Sequence, residues 1–284
     1  TKASLSTSDE WILSRLQATK LNVEKHLKDY RLDLMSHELY EFVWHDYCDW
    51  YLELSKPLLA DDKTKAGTQA TLLKVLNEIL TLLHPIIPFI TEEIYGQCCA
   101  LTGKDSESLM TQAYPEIEND LISTEAEEEV QWLQTFILGI RQIRGEMNIP
   151  PSKPLPCFVQ NINDDDQHCL NTHSQVLNSL AKLENISQLN ANDEAPESAT
   201  ALVGEMKVLI PLAGLIDKEQ EAARLNKEIE KLNKQRAQFA GKLNNEKFVS
   251  GAPEAVVNKE KEKLASVENS IADLSTQLEK IAKL

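Results

Sequence analysis

Apolar and polar positions follow a helical period over most of the chain. Leu39, Val43, Tyr47, Trp50 and Leu54 recur at steps of four, four, three and four, which places them on one stripe of a helix. Tyr40, Trp44, Cys48 and Tyr51 form a second stripe beside it. Residues 40–53 read Y-E-F-V-W-H-D-Y-C-D-W-Y-L-E and hold six ring side chains. A helix apolar over so wide an arc must be covered by other helices on several sides. Aromatic rings bury the most area per residue, so this helix is expected to carry the core of a bundle. Glu53 and Asp49 do not fit a core role.

The same pattern predicts the neighbouring elements. A first helix is capped by Ser8 or Thr7 and buries Trp11, Ile12, Leu16, Thr19 and Val23, leaving Arg15, Lys20, Lys25 and Lys28 on its other side. The ring-rich helix runs from about 33 to 54 and ends before Pro57. A third runs from about 61 to His84-Pro85, because the residue before a proline leaves the helical region. Pro88 opens a fourth, and a polar, acidic connection spans 102–123. A fifth runs from about 125 to 147 with Trp132, Phe136, Ile140 and Ile143 inward, and Pro150, Pro151, Pro154 and Pro156 mark a boundary after it. Residues 155–160 read as a strand, 165–183 as a helix, and 186–189, 200–203 and 206–212 as short strands, a small α/β unit.

The last segment changes period. Ala222, Leu225, Ile229, Leu232, Arg236, Phe239 and Leu243 keep the four-three step of a coiled coil, as do Val257, Leu264, Val267, Ile271, Leu274, Leu278 and Ile281. Folded back at Gly251-Ala252-Pro253, Leu225 meets Leu278, Ile229 meets Leu274, Leu232 meets Ile271 and Phe239 meets Leu264. Each such pair of numbers adds to the same value, as an antiparallel hairpin requires. At 1.5 Å per residue each arm is about 45 Å long. The expected architecture is therefore mainly α: a helical bundle over 1–150, a small α/β linker unit over 151–216, and an antiparallel two-helix coiled coil over 217–284.

Charge sharpens this division. The 284 residues carry a net −16, but residues 217–284 hold 13 Lys and Arg against 12 Asp and Glu, a net of +1, and residues 1–216 hold the remaining −17. The arm can thus present local cations to phosphate although the whole chain is acidic. The five cysteines include one adjacent pair and no C-x-x-C, which argues against a disulfide framework or a zinc site and fits a reducing cytoplasm. The apolar runs are too short to span a bilayer. The opening Thr1-Lys2 suggests a piece of a longer chain.

Catalytic signatures are absent. The sequence has no Gly-rich phosphate loop, G-x-S-x-G, H-E-x-x-H or EF-hand spacing. Glu92-Glu93 and Glu127-Glu128-Glu129 read as solvated helix surface, His84 as a helix-end residue, and His168 and His173, five apart, as poor metal partners. The residues point to a binding module.

Three segments carry a family resemblance. Y-E-F-V-W-H-D-Y-C-D-W-Y-L-E, then L-L-H-P-I-I-P-F-I-T-E-E-I-Y, then I-R-Q-I-R-G-E-M-N-I-P-P-S-K-P resemble, in order and spacing, the C-terminal part of bacterial valyl-tRNA synthetases. The terminal hairpin, with L-I-P-L-A-G-L-I-D before it and F-V-S-G-A-P-E-A-V-V at its tip, is similar to the coiled-coil arm of those enzymes. H-P-x-x-P-F-x-x-E is shared with the isoleucyl and leucyl enzymes, whereas C-D-W-Y-L-E together with the hairpin favours the valyl class.

The resemblance implies an anticodon-binding bundle and a tRNA-binding arm, with tRNA-Val as partner, a cytoplasmic setting and a monomeric parent enzyme. It implies no cofactor here, because ATP and magnesium belong to a catalytic domain whose H-I-G-H-type and K-M-S-K-S motifs this chain lacks. Candidate anticodon residues are Glu53, Trp50, Asp49 and Arg15. Candidate contacts to the tRNA elbow and backbone are Lys263, Arg224, Lys227, Lys231, Lys234, Lys242, Lys247 and Lys259. The alternative reading is a helical protein-interaction module with a coiled-coil docking arm.

Overall fold

The computed structural model describes residues 5–103, 108–190, 193, 195–212, 218–244 and 254–283, with only the backbone of 218–224, 254–256, 273, 276, 277 and 279–283. Helix α1 (Thr7–Lys28) begins at Ser6 rather than at Thr7 or Ser8. The Ser6 hydroxyl accepts from Asp9 N at 3.2 Å and the Asp9 carboxylate accepts from Ser6 N at 3.0 Å, a reciprocal capping box. Asp9 is completely buried, and its carboxylate also accepts from Tyr51 Oη at 2.6 Å and Thr68 Oγ1 at 3.0 Å. The cap of α1 is thereby tied to two other helices. Lys20, expected on the outer side of α1, is buried instead. Its ammonium pairs with Glu78 and donates to the Glu116 carbonyl at 2.9 Å, so it pins the 102–123 connection onto the bundle.

The ring-rich stretch is where the structure departs most from the helical pattern. Helix α2 (Leu32–Glu41) passes into a π-helix over Phe42–Tyr51 and then into α3 (Leu52–Ala60). The wider π turn shifts every later residue around the axis. The buried set becomes Leu39, Phe42, Tyr47, Tyr51 and Leu54 in place of the regular stripe through Val43 and Trp50. Tyr40 and Trp44 turn out to solvent, more than half exposed. Helix α3 also continues through Pro57 and does not end before it. Pro57 lies in the second turn of α3 and supplies no N–H to the Glu53 carbonyl four residues before it.

Helices α4 (Lys65–Leu83), α5 (Pro88–Thr102) and α6 (Thr124–Glu146) complete the bundle. Leu80, Cys98 and Leu109 pack together between α4, α5 and the connection, while Val130, Leu133, Phe136, Ile137 and Ile140 bury one side of α6. Strand β1 (Leu155–Gln160) follows, then α7 (Asp164–Thr172), α8 (Ser174–Leu180), β2 (Leu183–Gln188), β3 (Ser198–Val203) and β4 (Met206–Pro211). The single helix expected over 165–183 is broken at His173. The strands form a sheet in the order β2-β1-β4-β3, with β1 parallel to β2 and antiparallel to β4. Gly139 lets α6 approach the sheet: a Cβ there would lie 2.8 Å from the Ala201 Cβ.

The bundle and most of the sheet unit form one compact body, Thr1–Glu194 with Thr200–Ile210. Arg144, at the end of α6, joins its parts. Its guanidinium donates to the carbonyls of Pro150 (3.0 Å), Lys153 (2.9 Å), Ala181 (3.0 Å) and Lys182 (3.0 Å). Glu129 on α6 likewise faces His168 at 3.4 Å and His173 at 3.1 Å, and the Trp132 indole donates to Asp166 at 2.8 Å. Glu129 is therefore a link between helices, not solvated surface. Glu127 accepts from Ser14 at 2.5 Å and Glu92 accepts from Leu109 N at 3.1 Å, which moves both out of the solvated class as well.

The second body, Ala195–Ala199 with Pro211–Leu284, contains α9 (Lys218–Leu243) and α10 (Glu254–Lys283). The two helices pack along each other. Lys242 reaches Glu260 at 3.3 Å and Lys263 lies 5.8 Å over the Phe239 ring, an antiparallel register within one residue of that expected from the heptads. Leu225 and Val257 are buried, and Ile229, Leu232, Leu264, Ile271 and Leu274 are half-buried. Arg236, assigned to the seam, is exposed: the long side chain carries its charge out of an apolar seam. The Gly251-Ala252-Pro253 turn lies outside the described residues.

Candidate nucleic-acid interface

The four candidate anticodon residues are all placed by the α2–π–α3 rod and α1, and each has its own protein partner. Arg15 Nε donates to Asp46 Oδ2 at 2.9 Å, which joins α1 to the π-helix. Burial raises the Asp46 carboxyl above its ordinary range, and Arg15 opposes this. Trp50, half-buried, faces the Arg141 guanidinium of α6 at 5.6 Å from the ring centre. Asp49 is exposed and lies 3.3 Å from His45 Nδ1. Glu53 accepts from Lys56 with both oxygens, at 2.6 and 2.7 Å. That exposed pair contributes little to stability and separates readily, so the carboxylate stays available to an incoming donor. The structure puts Asp49, Trp50 and Glu53 on one rod, with Arg15 tied to it from α1 through Asp46.

Sequence reasoning missed the Tyr40–Trp44 pair. Their rings stack 6.1 Å apart at 5° and are exposed on the helix that otherwise supplies the core. The four-residue spacing was visible, but it was read as a second buried stripe. Tyr40 precedes the π-helix and Trp44 lies in its first turn, and both face solvent.

On the arm, Lys227, Lys231 and Lys234 are exposed at helical spacing on one flank of α9. Lys234 pairs with Glu230 at 2.9 Å and holds that carboxyl below its usual range. Lys259 is exposed on α10. Lys263 lies 2.7 Å from Glu260 and over Phe239, and Lys242 lies over the same ring at 5.9 Å. The hydrogen bond from Lys263 is the main reason the Glu260 carboxyl sits low, with Lys242 adding to it. Lys263 thus projects from the flank as expected but folds back onto its own arm. Lys247 lies outside the described residues, as does the Arg224 side chain. Among the described residues no cluster of three or more His, Cys, Asp or Glu side chains is arranged to hold a metal ion. No helix of the described residues is long and apolar enough to cross a membrane.

A helical rod with exposed rings and carboxylates, and a separate two-helix arm with a lysine flank, are parts that can grip a folded RNA at two places. The comparisons with known proteins agree. Residues 9–159 match the family described as the anticodon-binding domain of tRNA ligase, and the chain belongs to that family. Residues 217–282 match the valyl tRNA synthetase tRNA binding arm. The chain is 47% identical over 267 residues to the valine–tRNA ligases of Legionella pneumophila strains Lens and Paris, which covers 93% of this chain and 29% of each relative. The same figures hold for the enzyme of strain Philadelphia 1.

Proposed function

We propose that the chain is the tRNA-holding part of a valine–tRNA ligase, with tRNA-Val as its partner. The observation that carries this reading is the joint match of both bodies, bundle and arm, to tRNA-gripping modules of one ligase class. In this reading the bundle holds the anticodon stem-loop, the arm leans on the tRNA elbow, and valine activation with ATP and magnesium belongs to the remainder of the polypeptide. This chain then needs no cofactor, catalyses neither activation nor transfer by itself, and works in the cytoplasm within a monomeric ligase.

Glu53 is the anticodon-facing acceptor in this reading. A carboxylate accepts from a base amino group, as carboxylates do toward cytosine N4. Lys56 neutralises it in the absence of RNA and withdraws when a base arrives. In the full-length ligase, Glu53→Gln is expected to raise the KM for tRNA and to leave valine-dependent pyrophosphate exchange unchanged. An unchanged tRNA dependence removes Glu53 from the interface.

For the arm, Lys263→Ala is expected to lower the salt slope of tRNA binding by at most about one counterion. The variant also loses the ion pair to Glu260 and the cation over Phe239, so the arm's melting temperature falls slightly, with Lys242 still present to neutralise Glu260. Lys263→Arg keeps both roles, because a planar guanidinium pairs with carboxylate and stacks on a ring. Titrating tRNA at a series of salt concentrations checks both variants. A lowered melting temperature with an unaltered slope makes Lys263 structural only.

A further inference from the structure

The four arginines of residues 1–216 divide three to one. Arg15 donates to Asp46 at 2.9 Å, Arg31 forks onto Asp33 at 2.9 and 2.6 Å, and Arg144 is buried among four carbonyls. Arg141 is exposed on α6 and has no carboxylate or carbonyl partner among the described residues. Acids to pair with are plentiful, since these residues carry a net −17. What holds Arg141 is a ring: its guanidinium carbon lies 5.6 Å from the centre of the Trp50 ring, within the reach of a cation–π contact.

A guanidinium held over a ring face keeps its N–H groups, because they point outward in the plane of the group. Arg141 therefore offers an unused fork of donors, and such a fork fits the two free oxygens of a phosphodiester. The planar group is also pre-organised, so less freedom is lost for each bond it forms. The ground beside it is open. Gly145 lies one turn further along the same side of α6, and a Cβ there would meet nothing within 4 Å. Glu146 is engaged on its own helix, where Gln142 donates to it at 2.8 Å. Trp50 precedes Glu53 by three residues on the rod, so Arg141 stands beside the candidate anticodon acceptor.

Resting on the functional reading above, we propose that Arg141 is a tRNA-binding residue whose guanidinium, held by Trp50, takes one phosphate of the RNA backbone next to the bases that Glu53 meets. Phosphate contacts fix register without reading sequence. On an otherwise acidic bundle this cation sets where the strand can approach, and Glu53 is then left to discriminate between bases. Trp50 is a positioning residue in this arrangement: it acts through Arg141 and does not itself stack on a base.

Three variants of the chain, titrated with tRNA-Val at about 50 mM and about 200 mM salt, test this. The wild type should lose about threefold more affinity between the two salts than Arg141→Ala does, the share of one released counterion. Arg141→Lys should keep the wild-type salt dependence yet bind several-fold more weakly at both salts, because an ammonium carries the charge without the fork. Trp50→Leu should weaken binding with the salt dependence kept, since the charge remains and its support is gone. Ethylation of single tRNA phosphates supplies a readout that a structural role does not move: one phosphate whose ethylation blocks the wild type should cease to matter for Arg141→Ala. Unaltered binding by Arg141→Ala, or an interference pattern identical to the wild type, overturns the proposal. A loss confined to tRNA-Val, with a competing tRNA and the salt dependence unaffected, overturns it in favour of a base contact. A lowered melting temperature with tRNA binding intact makes Arg141 structural and overturns it as well. Failure of the wild-type chain to bind tRNA strikes the functional reading, whereas normal wild-type binding that Arg141→Ala reproduces strikes this inference only.

Discussion

Replacing Arg144 by Met is expected to destabilise the first body by about 2–5 kcal/mol. The Arg144 side chain is buried and spans four carbonyls from three segments: 150, 153 and the 181–182 turn. Two of these keep another donor, since Pro150 O also accepts from Lys153 N and Lys182 O from Leu155 N. A buried acceptor that loses the guanidinium without replacement costs about 1–3 kcal/mol. Met matches the stem in length and apolar packing, so the loss isolates the hydrogen bonds. Arg144→Lys is expected to fall between, because one ammonium cannot fork to four oxygens. Urea denaturation of both variants checks this, and a change below about 1 kcal/mol for Arg144→Met contradicts it.

The second large effect is expected at Asp9. This fully buried carboxylate receives Tyr51, Thr68 and both donors of Ser6. Asn at this position presents an amide N–H to at least one of those donors and should cost about 2–4 kcal/mol. Tyr51→Phe removes the single 2.6 Å bond without adding a group. Burial, with the Asp9 carboxylate beside it, raises the Tyr51 hydroxyl pKa well above the ordinary phenol value, so the ring stays a donor throughout the working pH range. A double-mutant cycle between the two positions should show a coupling of about 1.5–3 kcal/mol, as for other hydrogen bonds to a charged group. Additive losses would mean that the bond contributes nothing specific.

Both residues show what periodicity can and cannot reveal. The arm was legible because Leu225, Ile229, Leu232 and their partners on α10 obey a step that only a paired helix needs, and the Lys242–Glu260 contact falls within one residue of the expected register. Strand β1 was legible at both ends, bounded by proline and by the turn at Asn161, whose positive φ of 61° ends the extended run. The π-helix was not legible. Its phase shift leaves the composition of 42–51 untouched and changes only which rings face inward, as buried Tyr47 and Tyr51 beside half-buried Trp50 show. Lys20 is expected on the outer side of α1 because a charge on a helix usually is exposed, and nothing in the pattern marks Asp9 or Arg144 as buried. Their burial depends on carboxylate, hydroxyl and carbonyl partners brought in from segments as distant as Tyr51, Glu116 and Ala181. Asp49, Trp50 and Glu53 were legible as candidates only through the family motif. Their pairing with His45, Arg141 and Lys56, and that of Arg15 with Asp46, emerges from the folded geometry.

Binding of the chain itself to tRNA tests the account most directly. Labelled tRNA-Val is titrated with the chain at about 50 mM and about 200 mM salt, with a tRNA of another specificity as competitor. The account predicts a complex at the lower salt that weakens steeply at the higher one and that unlabelled tRNA-Val displaces better than the other tRNA does. No complex at the lower salt, or a complex that ignores both salt and competitor identity, contradicts it and leaves the helical bodies as protein-docking modules.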